Sequence, residues 1–212
     1  MKEKSINIGR DKFFEVLRKN SLLIKRRKRV YTTQSGHRFK KYPNLIKSLS
    51  LHAPNRVYVS DITYIRTLEG FCYLSLITDK YSRKIVGYAL SMSLSIEGCL
   101  EALRMALKDL NKTEQLIHHS DRGIQYCSKD YVDLLSENNV RISMTEENHV
   151  YENSLAERVN RILKDEFMLG ETLQSYSVAK RLVDDSIKIY NEERYHMALN
   201  LKTPDEVHFN LN

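Results

Sequence analysis

The chain contains no apolar run near the roughly 18 residues that a membrane-spanning helix requires, so no membrane partner is expected. Its three cysteines, Cys72, Cys99 and Cys127, are odd in number, widely spaced and outside any Cys-x-x-Cys pattern. That pattern argues against a disulfide framework and a thiolate zinc centre, and suits reduced thiols in a cytosol. Seven glycines form no Gly-rich loop, which leaves a nucleotide cradle without support. Ser120 lacks the Gly-x-Ser-x-Gly elbow of a hydrolase nucleophile. The first residues, Met1 to Ser5, offer no apolar stretch for a secretory signal, so a cytoplasmic location is expected. There is no internal repeat and no low-complexity tract.

Charge is present in both signs but is unevenly spread. The formal net charge is +7, yet residues 1–53 alone hold fifteen Lys/Arg against three Asp/Glu. The remainder is mildly acidic. A basic arm on an acidic body is the footprint of phosphate-backbone binding, the plainer alternative being a solvated basic tail. Within the arm, Gly9 to Lys19 reads as a short basic helix carrying Phe13, Phe14, Val16 and Leu17. One helix cannot bury its own apolar face, so loose docking is as good a reading as DNA contact. The run Lys25, Arg26, Arg27, Lys28, Arg29 follows, and the polar, poorly periodic segment up to Pro54 reads as an extended linker.

The body alternates strands and helices. Residues 56–66, 71–78 and 84–92 are rich in β-branched and aromatic residues and separated by turn signals, predicting an antiparallel meander. Ile96, Cys99, Leu100, Leu103, Leu107 and Leu110 mark an amphipathic helix. A strand over 115–120, a Ser128-capped helix to about Glu137 and a short strand from Val140 to Met144 follow. Beyond the break at Gly170, Ala179, Leu182, Val183, Ile187 and Tyr190 mark a further helix, and Tyr195 to Asn212 reads as an irregular cap.

Three acids stand out against this background. Asp61 interrupts the strand Val57 to Ile65, where strand propensity disfavours it. Asp121 follows the apolar Leu116-Ile117 and precedes an Arg-Gly turn, a position at the carboxyl end of a strand where open α/β sheets place ligands. Glu157 lies on a helix that turns Leu155, Val159, Ile162, Leu163 and Phe167 to one arc. At about 100° per residue, Glu157 and Lys164 fall roughly 20° apart, with Arg161 beside them. Taken alone, Ser154-Leu155-Ala156-Glu157 is also a capping box. Three hard oxygen ligands suit Mg2+ or Mn2+. Asp79, at a strand exit before Lys-Tyr-Ser, reads as a turn acid bonded to local backbone. His118 and His119 point to opposite faces of a strand and cannot chelate one ion together; one is expected to pack and the other to lie near the metal pocket.

Together, Asp-Ile-Thr-Tyr-Ile at Asp61, His-Ser-Asp-Arg-Gly-Ile-Gln-Tyr at Asp121 and the Glu157 helix with Lys164 resemble the Asp-Asp-Glu core of the retroviral-integrase and insertion-sequence transposase superfamily. The 35 residues between Asp121 and Glu157 match the interval these families favour. More narrowly, the chain is similar to the second-reading-frame subunit of the third bacterial insertion-sequence family, including Tyr190-Asn191-Glu192-Glu193-Arg194-Tyr195-His196 and Thr203-Pro204. It departs from that family at Tyr58, usually Trp, and at Glu152, usually Asp. The resemblance implies an α/β, ribonuclease-H-like fold: a mixed five-stranded sheet flanked by helices, with a basic arm (1–53), a catalytic core (54–170) and a helical C-terminal part (171–212). It further implies metal-dependent DNA 3′-end cleavage and strand transfer, with Asp61, Asp121 and Glu157 holding two Mg2+ or Mn2+ ions. DNA contacts are expected from Lys164, Arg161, Asn160, Asn153, His119, Arg122 and Gln125 and from Lys25, Arg26, Arg27, Lys28 and Arg29. The expected partners are element ends and target DNA, a second copy of the chain and a first-reading-frame protein. The first helix would then be the last of a shortened helix-turn-helix region. A purely hydrolytic nuclease and an inactive DNA-binding remnant are the alternatives.

Overall fold

A computed structural model describes residues 8–22, 38–108, 110, 115–146 and 153–210. The cations Lys25 to Arg29, and Glu152, lie outside the described residues. The chain divides into two units, residues 1–30 and 31–212. The first holds helix α1, Arg10–Lys19, which buries none of its residues; Lys12 and Lys19 pair with Glu15 at 3.1 and 2.8 Å along its surface.

The second unit is built on a sheet. Strands β1 (Val57–Thr67), β2 (Gly70–Asp79) and β3 (Ile85–Ser91) form the expected antiparallel meander. The β1–β2 turn closes at Gly70, whose φ of 128° favours a residue without Cβ. Helix α2 (Ile96–Leu107) leads to β4 (Ile117–Ser120), which pairs parallel to β1. A one-turn helix α3 (Ile124–Cys127) and α4 (Lys129–Glu137) precede β5 (Arg141–Met144), parallel to β4. The sheet order is β3-β2-β1-β4-β5. After α5 (Ser154–Glu166), a two-residue strand β6 (Thr172–Leu173) adds to the far end of β1, and α6 (Tyr176–Glu192) and α7 (Pro204–His208) complete the chain.

Alternation along β1 explains the layering. Tyr58 and Ile62 face one core with residues of α2, α3 and α4, among them Leu103, Tyr126, Tyr131 and Leu135. Ile65 faces the other, made by Leu74, Leu76 and Ile85 with Val159 and Leu163 of α5 and Val183 and Ile187 of α6. Helix α2 approaches β3 so closely that a Cβ on Gly87 would overlap the Ala102 carbonyl oxygen.

Two stretches differ from expectation. The segment before Pro54 is not simply an extended linker: Ile46, 4% exposed, packs with Val57, Val59, Ile117 and Ala156, and the Leu45 amide donates to Ser143 Oγ at 2.9 Å. Its apolar residues are too few for periodicity to register. The tail is not wholly irregular either. Thr203 caps α7, with Pro204 in its first turn and Glu206 returning a bond to the Thr203 amide at 2.6 Å.

Candidate active site

The site is assembled by strand register. The register pairs Val57 with Ile117, Tyr58 with His118 and Val59 with His119, all at one offset, and continuing it sets Asp61 level with Asp121. Both then lie beyond the paired ends of neighbouring parallel strands, on the same face of a sheet whose strands are about 4.8 Å apart. Helix α5 crosses that face. Asn153, Glu157, Asn160 and Lys164, spaced four, three and four residues apart, form one stripe on it. The stripe is tied to β1 at both ends of Glu157: Asn153 Nδ2 donates to the Ser60 carbonyl at 2.9 Å and Asn160 Nδ2 donates to Asp61 Oδ2 at 2.7 Å.

The electrostatics agree with this layout. Burial raises the Asp61 carboxyl to about 7, and the neighbouring Asp121 and Glu157 push in the same direction, against the bonds from Asn160 and the Ile62 amide. Local donors hold the acids: Ile62 N reaches Asp61 Oδ1 at 2.9 Å, and Gly123 N reaches Asp121 Oδ1 at 2.9 Å. Among the described residues, no three His, Cys, Asp or Glu side chains converge closely enough to hold an ion. The capping-box reading of Glu157 does not hold, because α5 begins at Ser154 and its N-cap is Asn153, which makes no side-chain capping bond.

The integrase core domain family matches residues 52–149, and a second integrase core domain family matches residues 138–204. A protein of insertion element IS600 from Shigella sonnei is 36% identical over 206 residues, covering 95% of this chain and 75% of that protein. The transposase InsF of insertion sequence IS3A from Escherichia coli is 35% identical over 154 residues, 72% of this chain and 54% of that protein. The chain belongs to the IS3-type, integrase-core transposase family. It spans about half the length of that InsF transposase. The ribonuclease-H-like fold is shared with a chain of the simian T-cell lymphotropic virus intasome (TM-score 0.64, 17% identity, 81% of this chain and 59% of that one). It is also shared with the HTLV-2 integrase catalytic core domain in complex with magnesium (TM-score 0.59, 16% identity, 74% and 97%).

Lys164 lies with its ammonium 4.2 Å from the Tyr64 ring centroid, and Arg161 is exposed beside it. Arg122 Nε donates to the Thr145 carbonyl at 2.7 Å, and Gln125 Nε2 to the Leu94 carbonyl at 3.1 Å. Neither histidine is at the surface. His119 is fully buried against Ser143 Oγ at 2.8 Å, and His118 Nε2 meets Ser60 Oγ at 2.6 Å and Tyr131 OH at 2.9 Å on the opposite face. Burial holds His118 neutral, lowering it to about 3. Tyr58 lies in the core with its hydroxyl donating to Asn55 Oδ1 at 2.6 Å.

Asp79 is the turn acid the sequence predicts; its Oδ1 accepts from the Tyr81 and Ser82 amides at 3.0 and 2.6 Å. Two residues of the Tyr190–His196 motif hold the fold together. The buried Asn191 amide pairs with both backbone groups of Ile85 at 2.9 and 3.0 Å, and Arg194 grips Glu166 through two bonds of 2.7 Å. What sequence reasoning missed is the role of Asn160 beneath Asp61 and of Tyr64 beneath Lys164. Helical spacing from Glu157 signalled the first; nothing local signalled the second.

Proposed function

We propose that the chain is a catalytic transposase subunit that cleaves the 3′ ends of its element and transfers them to target DNA. What carries this reading is Asp61 on β1 and Asp121 just past the end of the parallel strand β4, electrostatically coupled, with the α5 stripe bearing Glu157 bonded to Asp61 through Asn160. By the chemistry of its atoms, though not by their present spacing, the donor set suits two Mg2+ or Mn2+ ions. It consists of hard carboxylate oxygens without thiolates, and the nearby Asn160 Oδ1 is buried without a hydrogen-bond partner. Asp61, Asp121 and Glu157 would hold the ions. Bound there, two divalent ions supply an activated oxygen nucleophile and a stabilised leaving oxygen. Asn160 orients the Asp61 carboxylate, and Lys164 stands two helical turns from Glu157 to meet a DNA phosphate. The partners in this reading are element-end and target DNA and a second copy of the chain, because an element has two ends, together with a first-reading-frame protein.

Incubation with labelled element ends, target DNA and Mn2+ tests the proposal. Wild type is expected to yield nicked ends and joined products, and Asp61→Asn, Asp121→Asn and Glu157→Gln neither. Hydrolysed ends alone would make the chain a nuclease instead. Undiminished cleavage in any one variant would remove that residue from the site.

A further inference from the structure

The turn between β2 and β3 gathers more positive charge than Asp79, the acid in electrostatic reach of Arg83, balances. Its backbone is fixed: Asp79 accepts from Asn55 N at 2.7 Å, Tyr81 N at 3.0 Å, Ser82 N at 2.6 Å and Ser82 Oγ at 2.9 Å, and Arg83 N bonds the Asp79 carbonyl at 3.0 Å. Arg83 closes the turn at a φ of 67°, a left-handed conformation uncommon for a long side chain. Its Nε is buried and has no hydrogen-bond partner. Lys80 of the same turn and Arg158 of α5 lie within electrostatic reach of that guanidinium and oppose its charge. Among the described residues, none of the three makes a side-chain hydrogen bond or an ion pair. The neighbouring acids are committed elsewhere, Asp79 to its four donors and Glu166 to Arg194.

A buried N–H without an acceptor is costly, and three unpaired cations repel one another. Both costs are offset when an oxyanion with several acceptor oxygens sits among them, and a guanidinium fork suits a phosphate. The position selects which phosphate. Asp79 pairs with Tyr58 on β1, three residues or about 10 Å along the strand from Asp61, and Arg158 directly follows Glu157.

We propose that Lys80, Arg83 and Arg158 form a binding site for one backbone phosphate of a DNA strand whose next phosphodiesters lie at the carboxylates. The choice of DNA rests on the transposase reading above.

Duplex binding by the full chain, measured in EDTA over a range of salt, tests the site without requiring catalysis. Arg158→Gln changes an exposed position, and Arg83→Gly suits the left-handed backbone. Each is expected to lower affinity and to reduce the slope of log K against log[salt] by about 0.9, one phosphate's worth. Slopes parallel to wild type in both variants would overturn the proposal. Inorganic phosphate provides the second arm, read as thermal stabilisation. Stabilisation of wild type but not of Arg83→Gly, with DNA slopes unchanged, would assign the site to a free oxyanion and also overturn the DNA reading. Reduced slopes in a protein that neither cleaves nor joins DNA would leave this site standing and defeat the catalytic reading alone.

Discussion

Asp61 carries an acid–base cost that should be measurable. Its folded-state pKa of about 7 stands above the ordinary carboxylate value of 3.8, so the folded protein holds a proton that the unfolded chain releases. Stability from this group is therefore complete below about pH 4 and lost as pH rises toward 7, at most about 1.4 kcal/mol per pH unit. Thermal denaturation in EDTA across that window should show the decline, and Asp61→Asn should flatten it. Mg2+ or Mn2+ should flatten it too, by favouring the charged form. Lys164 offers a second residue-scale test. Removing its contact with Tyr64 by Lys164→Ala should cost about 0.5 kcal/mol of stability. The same change should lower the salt slope of DNA binding by about one phosphate. Equal slopes for wild type and variant would confine Lys164 to its ring contact.

Among the elements, the strands were legible because β-branched residues, alternation and turn signals agreed from 56 to 92, and Ser128 announced α4 correctly, its Oγ accepting from the Tyr131 amide. The four-residue α3 carries too few residues for periodicity. Helix α7 was signalled by Thr203-Pro204-Asp205-Glu206, a capping box that follows an irregular stretch. The candidate acids drew notice from local context, since an aspartate inside a strand of Val, Ile, Thr and Tyr demands a reason. The bond from Asn160 to Asp61 spans 99 residues, and only tertiary packing creates it. Asn191 shows the same limit: in sequence it belongs to a family motif, while in the fold it substitutes for a strand neighbour of Ile85. Asn191→Ala should therefore cost about 2–3 kcal/mol by orphaning a buried N–H and C=O, with the salt slope of DNA binding unchanged. Gly87→Ala, which drives a methyl into the α2 backbone, should lose about 1–3 kcal/mol in denaturant titration.

For the molecule as a whole, the segment ahead of β1 belongs to the body that its composition seemed to exclude it from. Ile46→Ala should cost about 2–4 kcal/mol in the same titration, whereas a linker residue would cost almost nothing. The register between β1 and β4 also has a consequence in time. β1 meets β2 across a two-residue turn, but it meets β4 across an offset of 60 residues, so a far larger loop must close first. The meander can form while Asp61 and Asp121 are still far apart. Pulse-labelled hydrogen exchange during refolding should therefore protect the amides of Val59 to Ile65 and Cys72 to Ile77 before those of β4 and β5. The chain would postpone bringing its like charges together until the rest of the sheet is there to hold them.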